Sequence, residues 1–292
     1  MMIVIAGSAS NKLAARVAKA LGCPLVKPEL KRFPDSESYV RIPKEVKGQH
    51  VIVVQSTCAP ANDNLIELCF LLDTAKDLGA QRVTAVVPYF GYARQDKRFE
   101  PGEAISVRTV CKLIERAGAD DLLTVDIHED EIMTNFAIPA FNLSAMPLLG
   151  QHLAKLKLCS PIVLAADQGA LPRAKRAAVE FEADYDYLEK TRLTSTKVLT
   201  QPKRLDVAKR DIVIIDDIIS TGGTVIEATK VLRKQRARTI LAACTHPVLV
   251  GNALKRVLAA GVRKVIATDT IEHRTSVVSA APVIVEAIRR GA

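Results

Sequence analysis

Residues 211–224, reading DIVIIDDIISTGGT, constrain what this chain can fold into more than any other stretch. Ile212, Val213, Ile214 and Ile215 are all β-branched and leave no polar face. Such a run suits a central strand of a parallel sheet, covered on both sides, rather than a half-exposed strand. Asp216 and Asp217 follow, then a small polar loop with two glycines, then a helical pattern over residues 225–235. The loop amides of residues 220–224 are expected to point at one phosphate, where the helix dipole is positive. Gly222 and Gly223 let the backbone come close, and the hydroxyls of Ser220, Thr221 and Thr224 add donors. Asp216 and Asp217 are expected to face away from that phosphate and accept from vicinal sugar hydroxyls. A plainer reading is a buried strand before a helix capped by Thr221. A cap needs one hydroxyl and no acidic pair, so the stretch points to a phosphorylated, hydroxyl-rich ligand.

Alternation of short β-rich runs with helical patterns continues along the chain. Strands are expected near residues 2–6, 49–55, 81–88, 121–125, 161–165, 184–189, 239–244 and 264–268. Helices are expected near residues 11–21, 62–78, 106–117, 146–156, 171–181, 252–260 and 282–290. This order predicts an α/β fold with parallel sheets. Residues 34–42 end in polar/apolar alternation and predict a hairpin arm. Residues 190–207 are polar without clear periodicity and predict a largely irregular, mobile functional loop. There is also an internal echo. Residues 51–56 with the helix around Leu65 parallel residues 212–217 with the helix around Glu227, and Gln55-Ser56 stand where Asp216-Asp217 stand. The first half then keeps the scaffold without the sugar-binding acids.

The 292 residues suffice for two domains of ordinary size. We place their boundary between residues 146 and 147, with the last helix expected to pack back on the first domain. With 4% aromatics and no tryptophan, the cores must be aliphatic. No stretch approaches the roughly 20 apolar residues of a membrane span. The first seven residues lack a charged region and a cleavage site and read as a strand rather than a leader. Six cysteines with no metal spacing suit small core residues in a reducing cytoplasm. The formal charge of +9 is spread among acidic residues without an aromatic-basic motif, so it suits a polyanionic small substrate and not nucleic acid. Neither GxxxxGK[ST] nor GxGxxG follows any strand, so a bound ATP needs another route.

Residues 211–224 resemble the phosphoribosyl-diphosphate signature of type I phosphoribosyltransferases and of the ribose-phosphate diphosphokinases. That signature does not choose between the two. Five further clusters resemble the diphosphokinase family, and they stand in its order: FPDSE at 33–37, YARQDK at 92–97, DIH at 126–128, DQGA at 167–170 and EKTR at 189–192. Physically, Arg94 offers a bidentate fork to phosphate oxygens and Gln95 suits a purine or ribose, although an isolated RQDK would read as a solvated loop. Strand alternation puts Asp126 and His128 on one side. A lone histidine is more often structural, and oxygen ligands are more usual for Mg²⁺. The Asp167 carboxylate suits Mg²⁺, while Gly169 and the following amides suit phosphate oxygens. Ala170 and Ser36 depart from the family's pattern, in which many members have glycine at the first position and the usual residue at the second is glycine or asparagine.

The resemblance covers nearly the whole chain. It implies an α/β fold of two tandem phosphoribosyltransferase-like domains, each a mainly parallel sheet flanked by helices. It implies transfer of the β,γ-diphosphoryl group of ATP to the anomeric hydroxyl of ribose 5-phosphate, with release of AMP. In that reading ATP is bound by Arg94, Gln95 and Asp96, with Phe33, Asp35, Ser36 and Glu37 from a neighbouring subunit. The site is then shared and the enzyme a homo-oligomer. Ribose 5-phosphate is bound by Asp216, Asp217, Ser220, Thr221, Gly222, Gly223, Thr224 and Arg192. Mg²⁺ is held by His128 and Asp167, and Lys190 with Arg192 is catalytic. Two other functions are open on these residues: a phosphoribosyltransferase, or a non-catalytic relative that regulates a synthetase.

Overall fold

The computed structural model describes residues 1–192, 198–202 and 206–291, with residues 189–192 and 198–202 described by their backbone alone. The chain divides into two compact units. One comprises residues 1–144, 270–272 and 279–292, and the other residues 145–269 and 273–278.

In the first unit β1 (Met2–Ala6), β2 (Leu25–Val26), β5 (His50–Val54), β6 (Arg82–Val87), β7 (Asp121–Val125) and β8 (Ala140–Leu143) form one sheet. Its order is β2-β1-β5-β6-β7-β8, and every neighbouring pair is parallel. The helices are α1 (Asn11–Leu21), α2 (Ala61–Asp77), α3 (Ser106–Arg116) and the terminal α8 (Ala281–Arg289). β3 (Glu29–Arg32) and β4 (Ser38–Arg41) stand apart as a separate antiparallel hairpin. α8 (Ala281–Arg289) packs on α1, where Arg289 donates to the carbonyl of Ala20 at 2.7 Å.

The second unit holds α4 (Met146–Ala154), β9 (Ile162–Ala165), α5 (Leu171–Val179), β10 (Asp184–Arg192), β11 (Val198–Pro202), β12 (Asp211–Ile218), α6 (Gly223–Lys234), β13 (Thr239–His246), α7 (Ala253–Ala259), β14 (Lys264–Thr268) and β15 (Ser276–Val278). Its sheet runs β11-β10-β9-β12-β13-β14-β15, and only the β10–β11 pair is antiparallel. β12 is central, and residues 212–215 are buried, as its unbroken apolar run requires. Core packing on both faces of this sheet is aliphatic. Ile212 and Ile214 face Val225, Ile226 and Leu232, while Val213 and Ile215 face Leu149, Ala174 and Ala178.

The echo in the sequence is a repeated topology. β2-β1-β5-β6-β7-β8 corresponds strand for strand to β10-β9-β12-β13-β14-β15. Ala6 pairs with Val54 as Ala165 pairs with Ile215. Ser8 is therefore the counterpart of Asp167, Gln55 of Asp216, and Ser56 of Asp217.

One expectation changes. Residues 190–192 and 198–202, expected in an irregular loop, are strand residues of the β10–β11 ladder, in which Lys190 pairs with Thr200 and Arg192 with Val198. An edge hairpin is held by backbone bonds, so its sequence needs no apolar alternation by which to be read.

Candidate active site

β12 delivers its two acids to the carboxyl edge of the sheet. Asp217 is buried and Asp216 half-buried. The Asp217 N–H donates to Oδ1 of Asp216 at 3.0 Å. Burial first, and the adjacent Asp217 carboxylate second, push the Asp216 carboxyl well above its ordinary range. Nη2 of Arg173, on the first turn of α5, stands 3.9 Å from Oδ2 of Asp217.

The loop that follows is pinned from outside. Ile219 donates to the carbonyl of His246 at 3.2 Å, and Leu249 and Val250 donate to the carbonyls of Ile219 and Ser220 at 2.9 and 3.1 Å. Its donors are left for something else. Among the described residues, neither the amides of residues 220–224 nor the hydroxyls of Ser220, Thr221 and Thr224 donate to any acceptor. Gly222 has φ 76° at the start of α6. A Cβ there would lie 2.5 Å from Cγ2 of Val257, so the turn admits only glycine without a shift. Unpaired amides at a helix N-terminus make an anion cradle, and the expected phosphate residues are all in it.

Asp167, Gln168 and Gly169 are exposed between β9 and α5. Oδ1 of Asp167 accepts the Ala170 N–H at 3.1 Å, which leaves Oδ2 turned to other uses. Ala170 is 3% exposed with φ −82° and ψ −2°, a conformation alanine adopts without strain. Lys190 and Arg192 lie on β10, and their side chains fall outside the described ones.

In the first unit, the loop after β6 carries Arg94, Gln95 and Asp96. The Gly91 N–H donates to Oγ1 of Thr57 at 2.6 Å, and a Cβ on Gly91 would stand 2.4 Å from the Thr57 carbonyl oxygen. Tyr92, with φ 65°, gives its hydroxyl to Asn62. Arg94 is exposed, while Gln95 and Asp96 are half-buried. Gln95 turns its amide inward, toward the Lys97 carbonyl at 3.4 Å and the Glu103 carboxylate at 3.5 Å. Glu103 also accepts the amides of Phe99 and Glu100 at 2.9 and 3.0 Å, and the Glu100 and Phe99 amides hold its carboxyl below the usual range.

His128 is half-buried beyond the end of β7. Asp126 has φ 40°, and its carboxylate accepts from the Ser144 hydroxyl at 2.9 Å. The left-handed residue breaks the extended backbone, so the alternation used to put Asp126 and His128 on one side does not reach past Val125. Among the described residues no three His, Cys, Asp or Glu side chains form a metal-holding cluster.

The β3–β4 hairpin closes through residues 34–36. Ser36 donates to the Phe33 carbonyl at 2.9 Å, Phe33 donates to the Glu37 carbonyl at 2.9 Å, and the Glu37 N–H reaches Oδ1 of Asp35 at 3.2 Å. Ser36 has φ 77°, the left-handed position of a three-residue hairpin loop. That explains why glycine or asparagine is the commoner choice there. Phe33 is 50% exposed and meets Tyr39 edge-on, with ring centroids 5.9 Å apart.

Two groups escaped the sequence reading. Arg173 left one faint signal, a cation in the first turn of a helix where the dipole disfavours it. The other is Glu67, visible only after folding. It accepts the Ser8 amide and hydroxyl, each at 2.7 Å, and the Gln55 side-chain amide at 2.8 Å. Gln55 in turn accepts the Ala9 N–H at 3.0 Å, and Glu272 takes the Lys12 amide at the start of α1 at 3.0 Å. The first unit thus takes the Ser8 and Ala9 amides with its own side chains, whereas the counterpart amides of Asp167 and Gln168 donate to no acceptor among the described residues.

A family model for the N-terminal domain of ribose phosphate pyrophosphokinase matches residues 2–118, and one for the phosphoribosyl transferase domain matches residues 136–279. The ribose-phosphate pyrophosphokinase of Methanothermobacter thermautotrophicus is 46% identical over 98% of this chain and 100% of its own. That of Methanopyrus kandleri is 45% identical over 98% of both. The crystal structure of phosphoribosylpyrophosphate synthetase from Mycobacterium smegmatis superposes with a TM-score of 0.89 at 32% identity, covering 99% of this chain and 98% of that one. The match over residues 2–118 is what a phosphoribosyltransferase with a single such domain would lack. On these grounds the chain belongs to the ribose-phosphate pyrophosphokinase family.

Proposed function

We propose that the chain transfers the β,γ-diphosphoryl group of ATP to the anomeric hydroxyl of ribose 5-phosphate, giving phosphoribosyl diphosphate and AMP for nucleotide biosynthesis. The observation that carries this reading is the set of undonated amides and hydroxyls at residues 220–224, directly after two carboxylates, in a chain of this family. Ser220, Thr221, Gly222, Gly223 and Thr224 take the 5-phosphate. Asp216 and Asp217 accept from the ribose hydroxyls and so orient the anomeric oxygen. That oxygen attacks the β-phosphorus in line, with AMP as leaving group. Arg94, Gln95 and Asp96 hold ATP, and Lys190 with Arg192 stabilises the charge on the diphosphoryl group in flight. Positioning and electrostatics do most of the work, and no side chain is assigned as general base.

The metal in this reading is Mg²⁺. Asp167 fits it, with an exposed carboxylate that has one oxygen engaged by Ala170 and another unengaged by that bond. His128 is the second protein donor, and substrate oxygens complete the set. Bound there, the ion would draw charge from the diphosphoryl oxygens.

The hairpin tip, with Phe33 half exposed and Asp35, Ser36 and Glu37 beside it, supports a homo-oligomer in which this tip completes the adenine site of a neighbouring copy. No described helix is long and apolar enough to cross a membrane, and the six cysteines are free, which suits a cytoplasmic enzyme. A ³¹P NMR time course with ATP, Mg²⁺ and ribose 5-phosphate tests the reaction. Sugar-dependent AMP and a diphosphate on the anomeric carbon are expected. Binding of phosphoribosyl diphosphate without turnover would point instead to a transferase or a non-catalytic relative.

A further inference from the structure

We propose that Arg173 is a positioning residue for ribose 5-phosphate: its guanidinium, set on the first turn of α5, fixes and balances the Asp217 carboxylate that accepts the sugar hydroxyl. This rests on the assignment of Asp217 to the ribose. Three observations carry it.

The first is the contact. Nη2 of Arg173 stands 3.9 Å from Oδ2 of Asp217, and the two side chains are only 23% and 5% exposed. In that setting little water lies between them to screen the charge. Asp217 is also adjacent in the chain to a second carboxylate, so a cation beside the pair offsets a repulsion the strand itself imposes.

The second is the cost of the arrangement to α5. Arg173 is the third residue of that helix, where the macrodipole disfavours a cation. Helix stability alone would not select arginine there. Its N–H bonds the Ala170 carbonyl at 3.0 Å, so the arginine backbone is tied to the Asp167–Ala170 turn. A shift of that turn is thereby transmitted to the acid that holds the sugar.

The third comes from the repeat. In the first unit the counterpart of Asp217 is Ser56, and the third residue of α1 is Leu13, which is fully buried. The next residue, Ala14, is also buried and apolar. The acid pair and the cation occur together in one unit and are missing together from the other. A structural arginine on a shared scaffold would have no reason to follow the acids.

Steady-state kinetics of the full chain test the assignment, with Arg173→Gln, Arg173→Lys and Asp217→Asn measured side by side. Arg173→Gln should raise KM for ribose 5-phosphate by about tenfold, equivalent to about 1.4 kcal/mol. KM for ATP should stay within about twofold, and Arg173→Lys should recover part of the loss. An unchanged KM for ribose 5-phosphate, or equal rises in both KM values, overturns the proposal. If Arg173→Gln does not fold, Arg173→Lys decides: a rise confined to ribose 5-phosphate supports it, and wild-type values overturn it. Asp217→Asn separates the two layers. If that variant binds ribose 5-phosphate normally, the ribose assignment itself fails. If it binds poorly while Arg173→Gln binds well, only the role of Arg173 fails.

Discussion

The Glu67 carboxylate takes the amide N–H of Ser8 at 2.7 Å, at the position in the first sheet that Asp167 holds in the second. One protein thus contains two versions of the same strand-end architecture. In one the donors are consumed internally; in the other they meet no acceptor among the described residues. Glu67→Ala would strip an acceptor from the Ser8 amide, the Ser8 hydroxyl and the Gln55 side chain together. Because Glu67 is half-buried, water replaces part of the loss, and we expect a destabilisation of about 1–2 kcal/mol. Denaturant unfolding of the variant checks this, with Glu67→Gln retaining part of the stability.

Gly222 is held at φ 76° with Val257 beneath it. Gly222→Ala must place a methyl 2.5 Å from a fully buried side chain. The left-handed backbone costs about 1–2 kcal/mol and the overlap a further 1–3 or so. Equilibrium unfolding should show the sum, and calorimetric titration should show ribose 5-phosphate binding weakened as the loop shifts.

Ser36 presents the opposite case. At φ 77° and exposed, it occupies a glycine position, and the contacts it makes there, its N–H donating to the Phe33 carbonyl and its carbonyl accepting from Arg32, are backbone ones that glycine keeps. Ser36→Gly should stabilise the β3–β4 hairpin by up to about 1 kcal/mol. Hydrogen exchange of the Phe33 and Ser36 amides should slow accordingly.

Acid stability should depend on Asp211. Burial would raise its carboxyl, but the hydrogen bond from Arg238, the Cys159 amide at 2.8 Å and the Thr239 side chain outweigh it and hold the group below the usual range. A carboxyl lowered in the folded state contributes stability that is present above its unfolded value of about 3.9 and lost as pH falls through the folded value. Arg238→Gln should therefore move the acid-unfolding midpoint upward, and a pH titration followed by circular dichroism reads the shift.

Lys190 is the residue on which the transfer step is expected to depend. Lys190→Ala should lower turnover at least about tenfold, a loss of about 1.4 kcal/mol of transition-state stabilisation. Single-turnover measurement of AMP release separates this from weaker binding, and near-normal turnover would remove Lys190 from the chemistry.

What the sequence by itself determined was local. Residues 212–215 suit a strand covered on both faces, because the run Ile-Val-Ile-Ile has no polar face to turn to water. The glycines, hydroxyls and acids at its end raised the expectation of a phosphate and a sugar because their chemistry is carried within a few residues. The duplication was visible too, through Gln55-Ser56 standing for Asp216-Asp217. The edge hairpin at β10–β11 was not, since backbone pairing leaves no apolar signature. Nor was the handedness of Asp126, whose carboxylate accepts from the Ser144 hydroxyl while the next amide, of Ile127, donates to the Asn142 side chain. The tertiary structure alone decided which donors were spent and which were left. Glu67 reaches Ser8 across 59 residues, and Arg173 faces Asp217 across 44. Both contacts follow from parallel strand order and register, which bring loops distant in sequence to one edge. A one-dimensional pattern records what each residue can do, and only the closed sheet fixes which partner it meets.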